Sequence, residues 1–331
     1  MSTPKRAFIG VACLVCLALG SGLALAQQTY VLRLGHTIAV TSAIHLTAEF
    51  LAKNVKEKSN GRLEIQVFPA SQLGDERALG EAIQIGTVDI IYGGTPMFGR
   101  FAKEFSGLAG GYLFRDIDHM SKVMQGPIGK AELAQKLIDG MKVRPLMYTY
   151  EGTRHLTTTD KPVRHPADLK GLLVRVPPLP GYMETWKALG APITPIPYGE
   201  VYMALKMGVA KGLENPIPLI YSMKFYEVQK YLVLNGHMVA VGVWGMNNAK
   251  FLSLPKDLQD ILQAEATRAS DYGTTLHVKQ EKDLVPELKK SMTFIEVDRA
   301  EWQKAAQQGG LDAWFVQQFG ADLYKRILET K

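Results

Sequence analysis

The alternation of strand-like and helix-like segments in the first hundred residues restricts the fold more than any other feature. Residues 30–35, 63–68 and 88–92 are short and rich in aliphatic side chains, which predicts three strands. Between them, helical spacing of apolar residues runs from Ser42 to a Ser-Asn-Gly stop, and again from Asp75 to a glycine. The order β, α, β, α, β predicts an α/β fold with a mainly parallel sheet.

A later stretch repeats part of this pattern. Residues 203–211 echo residues 81–89, and each stretch is a helix end with an Ala-aliphatic pair and a glycine. Gly86 and Gly208 both suit the left-handed position that follows a helix, although helix-glycine-strand junctions also recur throughout α/β proteins. Together with the length of 331 residues, the echo predicts two lobes built from similar units, with a cleft between them.

The first 26 residues have the pattern of a secretory signal peptide. Lys5 and Arg6 precede an apolar run, and a small-x-small site follows it before Gln27. Residues 1–26 are therefore predicted to be removed on export. An uncleaved membrane anchor is the weaker alternative, because glycines interrupt the run. Both cysteines, Cys13 and Cys16, fall in this segment, which leaves the mature chain no disulfide and no cysteine metal site.

Charge and motif content exclude several function classes. Export would remove two of the 38 basic residues and leave a net charge of +4, with acidic and basic residues interspersed, which does not indicate a nucleic-acid surface. No nucleophile elbow, zinc helix, dinucleotide fingerprint or phosphate loop occurs, and the seven histidines lack metal-ligand spacing. Asp116 and Asp118 fit a solvated turn. We therefore expect no catalytic residues, no metal and no cofactor.

Arg175 is the most informative single residue. It lies in the apolar run 172–176, which Pro177 ends, and a permanently charged guanidinium costs several kcal/mol to bury unless it is paired. The nearest carboxylate, Asp168, lies outside the run. The partner is therefore either a distant protein carboxylate or an anionic ligand. Arg154, at a predicted strand end, and Asn215 are further polar candidates where α/β proteins bind ligands.

Several motifs in order resemble the solute-binding proteins of TRAP transporters, the tripartite ATP-independent periplasmic systems for organic acids. The similarity is carried by residues 68–76, 152–154, 168–177, 200–205 and 212–216. It covers nearly the whole mature chain. The resemblance implies a periplasmic-binding-protein-like α/β fold in which two lobes enclose a ligand cleft. It also implies a periplasmic, monomeric receptor that hands an organic acid to membrane permease subunits for ion-coupled uptake.

The resemblance also implies roles for the two arginines. The family arginine that matches Arg175 forms a two-pronged salt bridge with the ligand carboxylate, for which a planar guanidinium is well suited. The alternative is a structural arginine paired with a protein carboxylate. Arg154 matches a second arginine that reaches the same carboxylate or a neighbouring ligand oxygen, and its alternative is a solvent-facing position. Two arginines facing one small anion would leave excess positive charge for a second oxygen function.

Four further residues complete the predicted site. Asn215 matches an asparagine that hydrogen-bonds the ligand, although it would also serve to cap the turn into Pro216. Tyr198 falls where relatives place an aromatic ring against the ligand, but an aromatic residue after a proline also fits the core. Thr37 and Thr95 are expected to contact the ligand from the opposite lobe.

Departures from the family pattern bear on the ligand. Sialic-acid binders have an asparagine near the end of the first strand and a glutamate after the third, where this chain has Thr37 and Gly94. Sialic acid is therefore disfavoured, and the expected ligand is a dicarboxylate, a hydroxy acid, a uronate or an aromatic acid. Tyr92 and Trp244 would either stack on a ligand ring or fill the core.

The expected lobes are discontinuous in sequence. Lobe I is assigned residues 27–152 and 241–280, and lobe II residues 153–240 and 281–331. Two other functions remain open from the residues, an ABC-type binding protein of similar shape and a secreted enzyme that acts on a carboxylate.

Overall fold

A computed structural model describes residues 28–331 of the chain. The predicted signal peptide lies outside the described residues. Within residues 28–331, no helix combines the length and the apolar character needed to cross a membrane.

The strands form one mixed sheet. Its order is β2-β1-β3-β8-β4-β7-β5-β6, with β9 paired to β8. The strands are β1 (Tyr30–Gly35), β2 (Leu63–Phe68), β3 (Ile90–Gly94), β4 (Val143–Thr158), β5 (Val174–Val176), β6 (Ile193–Pro195), β7 (Gly212–Pro216), β8 (Tyr231–Asn247) and β9 (Thr293–Ile295).

The sheet is parallel on both flanks and antiparallel at its centre. The β1–β2, β1–β3, β5–β6 and β5–β7 pairs are parallel, as the alternating pattern predicts. The β3–β8, β4–β8 and β4–β7 pairs are antiparallel. The expectation that Arg154 ends a strand is wrong, because β4 continues to Thr158. The third strand begins at Ile90, two residues later than its predicted start.

Helices cover both faces of this sheet. They are α1 (Ala43–Lys58), α2 (Glu76–Ile85), α3 (Thr95–Phe98), α4 (Lys103–Gly107), α5 (Ile117–Gln125), α6 (Ala134–Met141), α7 (Pro180–Ala188), α8 (Val201–Lys206), α9 (Ile217–Ser222), α10 (Asn248–Ser253), α11 (Lys256–Leu288), α12 (Arg299–Gln308), α13 (Leu311–Phe319) and α14 (Ala321–Glu329). A π-helical turn spans Ile128–Leu133, and 3₁₀ turns span Pro166–Leu169, Tyr198–Glu200 and Phe225–Glu227.

Local signals explain the helix boundaries that the sequence predicts. The Ser42 hydroxyl accepts a hydrogen bond from the backbone N–H of His45 at the start of α1, and the Asp75 carboxylate caps α2 in the same way. Gly86 and Gly208 have φ angles of +77° and +74°, which L side chains adopt at a cost. The predicted echo between the two helix ends is therefore confirmed in backbone conformation.

The two longest strands, β4 and β8, run through both halves of the sheet. Their pairing shifts register between Tyr150 and Gly152, and Gly152 has a φ of +120°. The long helix α11 supports this point from outside. Its Glu281 carboxylate accepts hydrogen bonds from the Tyr150 hydroxyl (2.6 Å) and the Thr153 backbone N–H (2.7 Å). Helix α11 therefore holds β4 through hydrogen bonds at the point where the pairing of β4 and β8 changes register.

Two aromatic side chains that the sequence left open belong to the core. Tyr92 and Trp244 are buried, and their rings lie 4.8 Å apart between centroids. Trp244 donates its indole N–H to the Thr149 hydroxyl. Neither residue lines the cleft described below, so they pack the protein interior beneath β3 and β8.

Candidate functional site

A cleft of about 690 Å³ is lined by both flanks of the sheet. One wall comes from the loops and helices that follow β1, β2 and β3, within residues 37–101. The other comes from residues 175–182, 197–199 and 215–223, which lie at the ends of β5, β6 and β7 and in the segments that follow them. Ligand sites in α/β proteins lie at the carboxyl ends of strands, and the polar groups that the sequence singled out converge here.

Arg175 is buried in this cleft without a charged partner. Its side chain is 1% exposed, and its Nε and Nη2 both donate to the Ile196 carbonyl at 2.9 and 2.5 Å. Its Nη1 has no hydrogen-bond partner, and Arg175 forms no ion pair, among the residues that the structure describes. Burial lowers the pKa of Arg175 to about 10, so it remains charged at neutral pH. The alternative in which Arg175 is a structural arginine paired with a protein carboxylate is therefore not supported by the described residues.

The backbone around β5 and β6 fixes this orientation. Arg175 is the central residue of β5 and pairs with Thr194 of β6, so the Ile196 carbonyl lies just beyond the paired residues. The Tyr198 ring lies 5.9 Å from the guanidinium carbon. Two of the three guanidinium nitrogens are therefore held by the protein, while the third, Nη1, keeps its N–H pair without a partner among the described residues.

Arg154 differs from Arg175 because its charge is compensated. It donates to the Glu214 carboxylate through Nε (2.5 Å) and Nη2 (2.7 Å), and Nη2 also donates to the Asn215 side-chain oxygen at 2.9 Å. His237 lies 3.1 Å from the same carboxylate. Burial alone would raise the pKa of Glu214, but Arg154 and His237 lower this pKa to about 2. The expectation of two uncompensated arginines is wrong.

Asn215 and Tyr198 both line the cleft, as the sequence predicts for ligand contacts. The Asn215 side-chain oxygen is occupied by Arg154, whereas its Nδ2 is buried without a partner among residues 28–331. The Tyr198 hydroxyl is likewise buried and unpaired within this part of the chain. The fixed amide oxygen turns Asn215 into a donor toward the cleft.

The two predicted threonines fall in different places. Thr37 lines the cleft and is half-buried. Thr95 is the first residue of α3 and is 2% exposed, but it is not among the cleft-lining residues, whereas its neighbours Gly94 and Pro96 are. The structure therefore brings five of the six predicted residues together and leaves Thr95 apart.

A carboxylate that sequence reasoning did not select lies in the same cleft. Glu151 of β4 is 7% exposed, and its Oε2 is buried without a hydrogen-bond partner among the described residues. Burial raises its pKa to about 6. An added Cβ at Gly94 would lie 3.7 Å from this oxygen. The available signal was an acidic residue inside the aromatic and apolar run 146–151.

The described residues contain no candidate metal site. Across residues 28–331, no group of three or more His, Cys, Asp or Glu side chains is arranged to hold a metal ion. The cleft therefore presents hydrogen-bonding groups, the buried guanidinium of Arg175 without an ion pair among the described residues, and the buried carboxylate of Glu151.

Residues 34–312 match the family described as bacterial extracellular solute-binding protein, family 7. The chain belongs to this family. Its members are binding proteins of TRAP transporters, and the family is periplasmic. A family 7 relative from Roseobacter denitrificans, a solute-binding protein, is 35% identical over 91% of this chain and 92% of its own. The 2,3-diketo-L-gulonate-binding periplasmic protein of Escherichia coli is 32% identical to this chain, and the match covers 95% of this chain and 96% of that protein.

Solved structures of TRAP periplasmic solute-binding proteins share this fold. The Roseobacter denitrificans protein with bound L-galactonate superimposes with a TM-score of 0.84 at 32% identity, covering 92% of this chain and 100% of that one. A Polaromonas protein bound to D-erythronate gives 0.85 at 32% identity, with coverage of 92% and 99%. The predicted α/β fold with a cleft between two lobes is thereby confirmed.

Proposed function

We propose that this chain is an extracytoplasmic receptor that binds an organic acid through its carboxylate and delivers it to TRAP membrane subunits for ion-coupled uptake. The observation that carries the proposal is Arg175, a buried guanidinium whose Nη1 has no hydrogen-bond partner among the described residues and which forms no ion pair with them. A ligand carboxylate would supply both the missing charge and the missing acceptor. The family 7 relatives with bound sugar acids support this ligand class.

Closure of the lobes around the ligand is the proposed mechanism. We assign residues 27–152 and 241–280 to lobe I, and residues 153–240 and 281–331 to lobe II. The register shift of β4 and β8 at Gly152 supports a boundary there, because irregular pairing bends more readily than a continuous ladder. A carboxylate that links Arg175, Asn215 and Tyr198 to Thr37 of the opposite lobe stabilises the closed state through these additional contacts. Thr95 would reach the ligand only in that state.

The receptor acts as a carrier and returns its ligand unchanged. Arg154 forms an ion pair with Glu214, and His237 lies within hydrogen-bond distance of the same carboxylate. This compensated arrangement suits a rigid wall better than a proton-transfer site. We also propose that the protein is a periplasmic monomer with no cofactor and no nucleic-acid partner. Light scattering of the purified protein tests the oligomeric state.

A thermal-shift screen against a broad panel of carboxylates tests the function. A ligand at about 100 times its Kd adds about 2.7 kcal/mol to the free energy of unfolding, which raises the melting temperature by several degrees. Uncharged sugars of the same size are the control and should leave it unchanged. NMR spectra of the bound acid recovered after incubation should show no conversion. Failure of every carboxylate to stabilise the protein would refute the proposal.

A further inference from the structure

Glu151 is the buried polar group in the cleft that the carboxylate receptor described above does not use. Its Oε2 has no partner in hydrogen-bonding geometry among the described residues, although the nearby Tyr92 hydroxyl interacts with this carboxylate and lowers its pKa. A buried carboxylate without donors is costly, because it loses hydration and gains nothing in exchange. A ligand that offers a donor at this point would recover that cost on binding.

The surroundings of Glu151 define what can approach it. Gly94 presents no side chain here, since an added Cβ would lie 3.7 Å from Oε2 and 3.5 Å from the Tyr182 hydroxyl. The Tyr182 ring packs against the Arg154 guanidinium at 4.8 Å. Both Glu151 and Gly94 line the same cleft as Arg175. The backbone at Gly94 therefore leaves space beside the Glu151 carboxylate, next to the Tyr182 hydroxyl.

The unpaired atoms of the cleft have complementary hydrogen-bonding types. Arg175 Nη1 and Asn215 Nδ2 are donors and require an acceptor, such as a ligand carboxylate. Glu151 Oε2 is an acceptor and requires a donor. A second ligand carboxylate would face the charge of Glu151 without a proton to offer. The cleft therefore suits a ligand that carries a carboxylate at one end and a hydrogen-bond donor at the other.

We propose that Glu151 is a specificity-determining residue that accepts a hydrogen bond from a ligand hydroxyl, so that the receptor selects hydroxylated monocarboxylates over dicarboxylates and unsubstituted acids. This inference rests on the proposed function of the same cleft. A hydroxyl is favoured over an ammonium group because Glu151 is only 7% exposed, and a cation would lose several kcal/mol of hydration in reaching it. A neutral hydroxyl carries no such cost.

Tyr92 offers a competing, structural explanation. Its hydroxyl is also buried and unpaired within residues 28–331, and it lies close enough to Glu151 for each group to raise or lower the other's pKa. A small movement would let Tyr92 donate to Glu151. If this pairing were the purpose of the carboxylate, Tyr92→Phe would imitate its removal.

Calorimetry with matched acids tests the assignment. The probes are the hydroxylated acids erythronate and galactonate, the unsubstituted acids butyrate and hexanoate, the dicarboxylates succinate and adipate, and 4-aminobutyrate. The wild type should bind a hydroxylated acid at least about tenfold more tightly than the unsubstituted and dicarboxylic acids of equal carbon number, the effect of one charge-assisted hydrogen bond. Glu151→Met, which keeps length without a strong acceptor, should abolish this preference, and Glu151→Gln should retain part of it.

The outcomes separate this inference from the proposed function. Tyr92→Phe should leave the preference unchanged, and circular dichroism should show that all three variants fold. An unchanged preference in Glu151→Met, or its loss in Tyr92→Phe, would overturn the role of Glu151. Tighter wild-type binding of a dicarboxylate, an unsubstituted acid or 4-aminobutyrate would overturn the hydroxyl assignment while the carboxylate receptor stands. Absence of binding to every acid would instead refute the receptor itself.

Discussion

Replacement of Arg175 by lysine is the sharpest test of the carboxylate site. In the wild type, Nε and Nη2 hold the Ile196 carbonyl and Nη1 is left to donate to the ligand. A lysine ammonium is a single point of charge that cannot satisfy the buried carbonyl and grip a carboxylate with the same planar geometry. The Arg175→Lys protein should fold, since the ammonium still reaches a carbonyl acceptor, but it should bind its ligand weakly.

The size of the loss follows from the bonds at stake. Each hydrogen bond between a charged donor and a carboxylate contributes about 1.5–3 kcal/mol. Loss of one such bond, together with imperfect placement of the remaining charge, amounts to about 3 kcal/mol, or about a hundredfold in Kd. Isothermal titration calorimetry with any acid identified by the thermal-shift screen measures this difference directly.

The matched control is Arg326→Lys. Arg326 lies on α14 at the surface and pairs with Asp322 and Glu132, so the same chemical change is made away from the cleft. Its affinity should equal that of the wild type. If Arg175→Lys also binds within about threefold of the wild type, less than about 0.7 kcal/mol, the assignment of Arg175 as the carboxylate anchor is refuted.

Three further predictions concern stability. Glu214→Gln should lower the free energy of unfolding by about 3–5 kcal/mol in urea denaturation, because it leaves Arg154 buried and unpaired; a loss under about 1 kcal/mol would contradict this. Burial raises the pKa of Glu151 from 4.5 to about 6, so stability from this group falls as the pH rises between these values. Glu151→Gln should therefore gain about 2 kcal/mol on the wild type between pH 4.5 and pH 7, and a pH-independent difference would refute it. Gly152→Ala should lower the free energy of unfolding by about 3 kcal/mol or more, because its new Cβ would lie 2.5 Å from the Pro216 Cβ. The control Gly171→Ala, which has open space around the added Cβ, should lower it by about 1 kcal/mol. Equal losses in the two variants would show that packing at Gly152 is unimportant.

Local signals explain why part of the fold could be predicted from the sequence. The bounds of β1, β2, α1 and α2 agree with prediction because caps, apolar spacing and a left-handed glycine act within a few residues. The long strands β4 and β8 were not anticipated, since a strand buried on both faces loses the alternation that marks a half-buried one. Their antiparallel pairing at the centre depends on contacts between residues that are 73 to 104 positions apart in sequence.

The site shows the same division. Arg175 could be selected because a charge in an apolar run is unusual wherever its partner lies. The pairing of Arg154 with Glu214 joins residues 60 positions apart and depends on the register of β4 and β7, which no local pattern specifies. Glu151 escaped selection because it immediately precedes the Gly-Thr-Arg motif, and only the fold shows that its carboxylate has no partner among the described residues.

The strand β8 also determines when the chain can complete its structure. β3 pairs with β8 through Ile90 and Met246, and β4 pairs with it along most of its length. Both flanks of the sheet are therefore joined only after residues 231–247 are available. Such non-local pairing slows folding, and a chain still emerging from the ribosome would keep its first three strands without their central neighbour. Until then the sheet lacks the strand that joins its two flanks.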